Sequence, residues 1–306
     1  MPATHPPYRL GTRASPLAMA QAHLVKAALM AAHGWDDAAI VIVSVVTEGD
    51  RILDRPLADI GGKALWTKML DAKLLSGETD FSVHSMKDVE TVRPDAIALA
   101  AILERGDPRD RLIGATSIAT IAQGARIGTS SPRRAAQIQR LRPDVHIVGI
   151  RGNVATRLKK LELGEADVTL LAAAGLDRLG SPCIGVALDT ETMLPAASQG
   201  AIGVETRADD GALLRLLAVI NHAPTRMAVD AERALLAELV ADCHSPVGAH
   251  ACWQRDTMIL TAELLSGDGR DHVRDTIVVD SAATPAVLAR RLLEQATPEL
   301  RALFGG

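Results

Sequence analysis

Short apolar runs of strand length alternate with segments of helical period along the first two thirds of the chain, and this alternation narrows the possible folds sharply. Strand-like runs at 39–46, 81–83 and 97–103 accompany a helical segment at 63–75. The order returns as a strand at 145–150, a helix at 154–163 and a strand at 168–172. Near-continuous apolar strands are covered on both faces, so the pattern predicts α/β lobes with largely buried sheets. A turn-rich, charged stretch at 104–111 and a stretch with Pro, Ser and Gly at 194–200 are the candidate crossings between two such lobes. From Pro224 the pattern changes to a long helix at 225–240, strand-like pieces near 249–253, 258–264 and 276–279, and a last helix from Thr284. That predicts a smaller α+β domain. A chain of 306 residues exceeds one comfortable core and suits two or three domains.

Charge and composition exclude several functions. The net charge is −4 and only 2% of residues are aromatic, so neither a basic surface nor stacking platforms for single-stranded nucleic acid are expected. Three cysteines, Cys183, Cys243 and Cys252, make a disulfide framework improbable and leave a thiol for chemistry. The first residues have no apolar secretory core and no run is long enough to span a bilayer, so a cytoplasmic protein without membrane contact is expected.

One internal echo carries chemistry. Gly11-Thr12-Arg13-Ala14-Ser15-Pro16 and Gly128-Thr129-Ser130-Ser131-Pro132-Arg133 both lead from a strand-like run into a helical one. Ser before Pro is a preferred cap followed by a preferred first helical residue, and exposed N–H groups at such a start attract anions. Arg13, Arg133 and Arg134 add guanidinium forks suited to carboxylate or phosphate. Each segment alone also reads as a capped helix with solvated arginines. The local charge favours a ligand: between residues 126 and 160 nine basic residues face one acid, Asp144. Arg151-Gly152-Asn153 repeats the strand-to-helix pattern, and Lys63 follows a Gly-Gly turn. No nucleotide-binding glycine motif occurs.

Two further clusters stay open on residue chemistry. Phe81-Ser82-Val83-His84-Ser85-Met86-Lys87-Asp88 is a strand ending in polar residues, where α/β sheets bind ligands, though His84 also reads as a satisfied core histidine and Lys87 with Asp88 as a surface pair. Cys243 sits in a turn-like Ala241-Asp242-Cys243-His244-Ser245-Pro246, readable as a buried thiol, as one ligand of a zinc site with His244, His250 and Cys252, or as a covalent attachment point. The spacing disfavours structural zinc, and no metal is expected.

Together these segments resemble the porphobilinogen deaminase family almost end to end. The resemblance is carried by Gly-Thr-Arg-Ala-Ser-Pro-Leu-Ala at 11–18, Gly-Gly-Lys at 61–63, His-Ser-Met-Lys-Asp-Val at 84–89 and Glu-Arg-Gly-Asp-Pro-Arg-Asp at 104–110. It continues with Gly-Thr-Ser-Ser-Pro-Arg-Arg at 128–134, Arg-Gly-Asn-Val-Ala-Thr-Arg-Leu at 151–158, Ala-Ala-Gly-Leu-Asp-Arg-Leu-Gly at 173–180, Gln-Gly-Ala at 199–201 and Cys-His-Ser-Pro-Val-Gly at 243–248. The resemblance implies two periplasmic-binding-protein-like lobes plus a smaller C-terminal α+β domain. Its boundaries would be 1–102 with 199–220, then 103–198, then 221–306. It further implies a monomeric transferase that joins four porphobilinogen molecules, with loss of ammonia, into hydroxymethylbilane, an intermediate of porphyrin and heme biosynthesis.

Carried over by motif, Cys243 would hold a dipyrromethane cofactor through a thioether and Asp88 would be catalytic. Lys87, Ser131, Arg133, Arg134 and Arg157 would bind the cofactor, and Arg13, Ser15, Lys63, Arg151 and Gln199 the substrate. Every pyrrole ring brings two carboxylates, so the concentration of cations gains a reason. The chain departs from the family in Ala241-Asp242, where Gly-Gly is frequent, in Pro132, where Leu is, and in Trp66, where Phe is. Rival readings are a non-catalytic two-lobed binder of a polycarboxylate, which leaves Cys243 and Asp88 unexplained, and a zinc-dependent regulator or nucleic-acid module.

Overall fold

The computed structural model describes residues 7–45, 67–242 and 244–304. The chain opens with β1 (Tyr8–Arg13), α1 (Pro16–His33), β2 (Ile40–Val45), α2 (Lys68–Leu75), β3 (Phe81–Ser85) and β4 (Ile97–Ile102). Next come β5 (Asp110–Ile113), β6 (Arg126–Gly128), α3 (Pro132–Leu141), β7 (His146–Val148), α4 (Val154–Glu162), β8 (Val168–Ala172), α5 (Ala173–Arg178) and β9 (Val186–Ala187). The remainder is β10 (Ile202–Arg207), α6 (Gly211–Ala218), α7 (Ala223–Glu238), β11 (Val247–Gln254), β12 (Thr257–Leu265), β13 (His272–Val279), α8 (Thr284–Gln295) and α9 (Pro298–Arg301).

Two five-stranded sheets share one topology. The first has the order β2-β1-β3-β10-β4 and the second β7-β6-β8-β5-β9. In the first, β1 is parallel to β2 and β3, while β10 runs antiparallel to β3 and β4. In the second, β6 is parallel to β7 and β8, while β5 runs antiparallel to β8 and β9. Thus β1 corresponds to β6, β2 to β7, β3 to β8, and β10 to β5. Strands β11, β12 and β13 form a separate antiparallel meander. The sequence expectation of α/β lobes followed by a smaller α+β domain describes these sheets.

Local sequence explains the helix starts. Ser15 caps α1 by accepting from the Ala18 N–H at 3.4 Å, Pro16 follows it, and Gly34 ends the helix in the left-handed region at φ 67°. The face Gln21, Ala22, Val25 and Leu29 is buried at helical spacing. It packs into a core with Leu10, Ile40, Phe81, Val83 and Val204. Full burial of each such apolar side chain contributes roughly 1.5–3 kcal/mol. A second core gathers Leu112, Ile127, Ile138, Val168 and Leu170, and a third sets Leu235, Leu260, Leu264 and Leu292 between the meander and its helices.

By its contacts the chain forms two compact units, Met1–Arg105 with Ala201–Arg226, and Gly106–Gly200 with Met227–Gly306. The elements β9, β10 and α6 have no counterpart in the sequence reading, and two further strands depart from theirs. The stretch 104–111 reads as turn, yet β5 begins at Asp110, which is completely buried. The meander's last strand begins at His272, earlier than the apolar run at 276–279, because an edge strand tolerates charged residues such as Arg274 and Asp275.

Candidate active site

In the first unit the carboxyl ends of the parallel strands β1 and β3 carry the polar groups, as open α/β sheets arrange them. Arg13 ends β1 and Ser15 caps α1. At the end of β3 a single 3₁₀ turn, Met86–Asp88, presents Lys87 and an exposed Asp88. Arg13, Ser15, Gln21, Thr67, His84, Ser85 and Asp88 line one pocket with Leu17, Ala18, Val83 and Val89. Of the residues expected to act, Arg13, Ser15 and Asp88 are therefore brought together. Gln21 and Thr67 are additions without a motif signal; helical phase places Gln21 on the buried face of α1.

The turn is anchored by close packing. The Met86 N–H donates to the Ala201 carbonyl at 3.1 Å. A Cβ on Gly203 would stand 2.0 Å from Met86 Sδ, so a larger residue at this place on β10 would displace the Met86 side chain. Behind it, His84 is buried with Nε2 3.3 Å from Glu205 Oε2. Burial pushes the His84 pKa below its ordinary value, against the opposite pull of Glu205, so the imidazole is neutral near pH 7. His84 is thus a core histidine at the pocket wall.

In the second unit the equivalent corner behaves differently. Ser131 caps α3, accepting from Arg134 N–H at 3.4 Å, and Pro132 is again the first helical residue. Arg133 and Arg134, however, are 3% and 5% exposed and converge on the buried Asp110. Arg133 Nη2 donates to Asp110 Oδ2 at 2.8 Å and Nη1 to the Leu194 carbonyl at 2.7 Å. Arg134 donates to Asp110 Oδ1 through Nε and Nη2 at 3.2 and 2.7 Å, and through Nη1 to the Leu170 carbonyl at 2.9 Å. Gln199 Nε2 completes the cluster on Asp110 Oδ1 at 2.9 Å. Burial alone would raise the Asp110 pKa, but the charges of Arg133 and Arg134, then their hydrogen bonds, hold it well below the usual carboxylate range. Arg133 Nε remains buried without a hydrogen-bond partner among the described residues.

The other two cations expected in the site from this unit, Arg151 and Arg157, follow β7. Asn153 caps α4 by accepting from Thr156 N–H at 2.9 Å, and Arg157 Nε donates to the Gly152 carbonyl at 2.9 Å. Gly152 has φ 113°, a conformation that favours glycine. Arg151 and Arg157 are half-buried on either side of this helix start. Arg178, given no role by sequence, donates to the Gly200 carbonyl at 2.6 Å, and burial brings its pKa down to about 10. Lys63, Trp66 and Cys243 lie outside the described residues. The Asp242 carboxylate accepts from the His244 N–H at 2.9 Å.

Paired strand-to-helix corners, each with a Ser-Pro cap and cationic side chains at the carboxyl ends of parallel strands, define an α/β protein built to hold anionic groups. The profile described as "Porphobilinogen deaminase, dipyromethane cofactor binding domain" matches residues 8–215, and the one described as "Porphobilinogen deaminase, C-terminal domain" matches residues 226–297. A porphobilinogen deaminase of Sphingopyxis alaskensis is 60% identical over 97% of this chain and 96% of its own length. One from Paracoccus denitrificans is 46% identical over 95% of each. The periplasmic VFT2 domain of Bordetella pertussis BvgS shows a fainter structural likeness, with TM-score 0.41 and 18% identity over 75% of this chain and 91% of that one. The chain belongs to the porphobilinogen deaminase family.

Proposed function

We propose that the chain is a hydroxymethylbilane synthase that condenses four porphobilinogen molecules head to tail on a dipyrromethane held by Cys243. The carrying observation is that Asp88 shares a pocket with Arg13 and the capped start of α1. The donor chemistry of each unit suits the cofactor: a dipyrromethane bears two carboxylates per ring, and the first unit offers the capped start of α1 with Arg13, and Lys87 on the turn after β3, while the second offers two capped starts with Arg151 and Arg157 flanking that of α4. The unpartnered Arg133 Nε–H adds a donor in want of an acceptor. When bound, the cofactor supplies the free pyrrole α-carbon that accepts the first unit.

At each addition the aminomethyl C–N bond of porphobilinogen breaks, ammonia leaves with one added proton, and a C–C bond forms to the accepting α-carbon, which gives up its proton. The Asp88 carboxylate stabilises the cation formed when ammonia departs and receives a pyrrole proton in turn. Arg13, Ser15, Lys63 and Arg151 hold substrate carboxylates, while Lys87, Ser131, Arg133, Arg134 and Arg157 hold the cofactor's; Gln199, expected among the substrate ligands, spends its amide N–H groups on the Pro108 carbonyl and Asp110 and acts instead by orienting Asp110. Arg133 and Arg134 act there with Asp110 as a preset unit, their forks already oriented by the buried carboxylate. Water closes the sequence by releasing the tetrapyrrole as a hydroxymethyl compound. We further read the second unit as two domains, 103–198 and 221–306, with 1–102 and 199–220 as the first, in a cytoplasmic monomer. Among the described residues no helix is long and apolar enough to cross a membrane.

Intact mass with peptide mapping tests the reading. A gain of two pyrrole units on Cys243, together with one ammonia released per porphobilinogen consumed, is expected. A thiol still bare after incubation with porphobilinogen, without consumption, overturns it.

A further inference from the structure

Asp88 stands on a short turn whose following residues lead into a buried charge cluster that the reaction as described does not use. Arg93 lies at its centre. Its Nε and Nη2 donate to both carboxylate oxygens of Glu205 on β10, at 3.0 and 2.8 Å. Nη2 also reaches Asp71 Oδ1 on α2 at 2.6 Å, and Nη1 reaches Glu90 Oε2 at 2.8 Å. Glu90, two residues beyond Asp88, accepts in turn from the pocket residue Thr67, whose Oγ1 is 2.6 Å from Oε1. On the other side of the turn, Ser85 exchanges hydrogen bonds with Gln21 of α1 at 2.7 and 3.1 Å.

Arg93 is about one tenth exposed, and Glu205 almost fully buried. Burying three carboxylates around one guanidinium is costly, and burial, followed by the opposing hydrogen bond from Arg93, leaves Asp71 with a raised pKa. A core needing only stability at this place would be served by apolar packing. The one thing the cluster adds is direction: it fixes the backbone after Asp88 to α2 and β10 at once and ties Glu90 to Arg93 within the segment.

We propose that Arg93 is a positioning residue for the reaction, acting through Glu90 and the 86–90 turn to hold the Asp88 carboxylate at its working place. The inference rests on the reading of Asp88 given above. Displacement of a reacting group by about 1 Å can cost on the order of 100-fold in rate, so a partial loosening of the turn is expected to cost less. Lysine keeps the charge of Arg93 but cannot fork to Glu205 while also reaching Glu90 and Asp71.

The test is steady-state turnover of the holoenzyme, with cofactor occupancy checked by intact mass. Arg93→Lys should lower kcat about tenfold with KM for porphobilinogen changed less than about twofold. In an Asp88→Glu background, where the carboxylate is already displaced, the same substitution should cost less than about twofold. Unchanged kcat in Arg93→Lys, or an equal loss in both backgrounds, overturns the proposal. Should Arg93→Lys fail to fold, Thr67→Val removes one tie from Glu90 without stranding a charge; a kcat loss of about threefold supports the proposal and wild-type kcat overturns it. Full turnover in Asp88→Asn would instead remove the underlying reading of Asp88, an outcome independent of what Arg93→Lys does.

Discussion

The corner at the start of α1 and the corner at the start of α3 have the same topology, the same Ser-Pro cap and neighbouring arginines, yet they use their charges differently. In the first, Arg13 precedes the cap and lines a pocket with Asp88. In the second, Arg133 and Arg134 follow the cap, on the buried face of the helix, and close on Asp110. A helix start fixes backbone N–H groups in either case. Whether the arginine beside it lines an open pocket or is first oriented by a buried carboxylate is set by its place relative to the cap and by what the neighbouring strand offers.

The contrast is tested most severely by removing the acid that only the second corner possesses. Asp110→Ala strands two buried guanidiniums and should cost about 3–5 kcal/mol in chemical denaturation. Asp110 has a depressed pKa in the folded state, so its stabilisation is fully present above the unfolded carboxylate value of about 3.9 and is lost as pH falls through and below it. Denaturation midpoints between about pH 5 and pH 2 should accordingly fall less steeply in the variant. A variant as stable as the parent would mean that the arginines are not held by Asp110.

The first corner should show the reverse, large loss of chemistry without loss of fold. Asp88 is exposed and can be truncated without leaving a cavity. Asp88→Ala should lower turnover by about 10²–10³-fold, or roughly 3–4 kcal/mol of transition-state stabilisation, with an unchanged melting curve. Between these extremes stands Arg151→Ala, in a half-buried cation, for which loss of one charge-assisted contact should slow cofactor assembly or raise KM roughly tenfold. Full cofactor occupancy with parental kinetics would take Arg151 out of the site.

The corners differ too in how far the sequence discloses them. The Ser-Pro caps, the alternation that forms both sheets and the polar end of β3 are local signals, and local chemistry is enough to read them. The fate of Arg133 and Arg134 is not local. Helix α3 reads Pro-Arg-Arg-Ala-Ala-Gln-Ile-Gln-Arg-Leu, a pattern whose hydropathy sets Arg133 opposite the apolar face, whereas the structure buries it. Its partner Asp110 lies 23 residues upstream of Arg133, behind Gly106 and Pro108, which make the segment look like a turn rather than the beginning of a core strand. The clamp at Arg93 escapes sequence reading for the same reason, since its carboxylates come from α2, the turn and β10. Cys243 is legible by resemblance alone, as its spacing disfavours zinc but leaves a buried thiol and a covalent attachment point both open.

The smallest expected effect is also the most direct check that the corners are equivalent in their backbones. Both cap hydrogen bonds measure 3.4 Å and both helices continue with proline. Ser15→Ala and Ser131→Ala should therefore each cost about 0.5–1 kcal/mol, read as matched shifts in denaturation midpoint. A difference much above 1 kcal/mol would show that one serine does more than cap its helix. Activity should separate what stability does not: Ser15 lies in the pocket with Asp88, so its loss should also raise KM for porphobilinogen, whereas any effect of Ser131 should appear in cofactor occupancy. Equal stability loss with unequal kinetic consequences would show one strand-to-helix design turned to two different tasks.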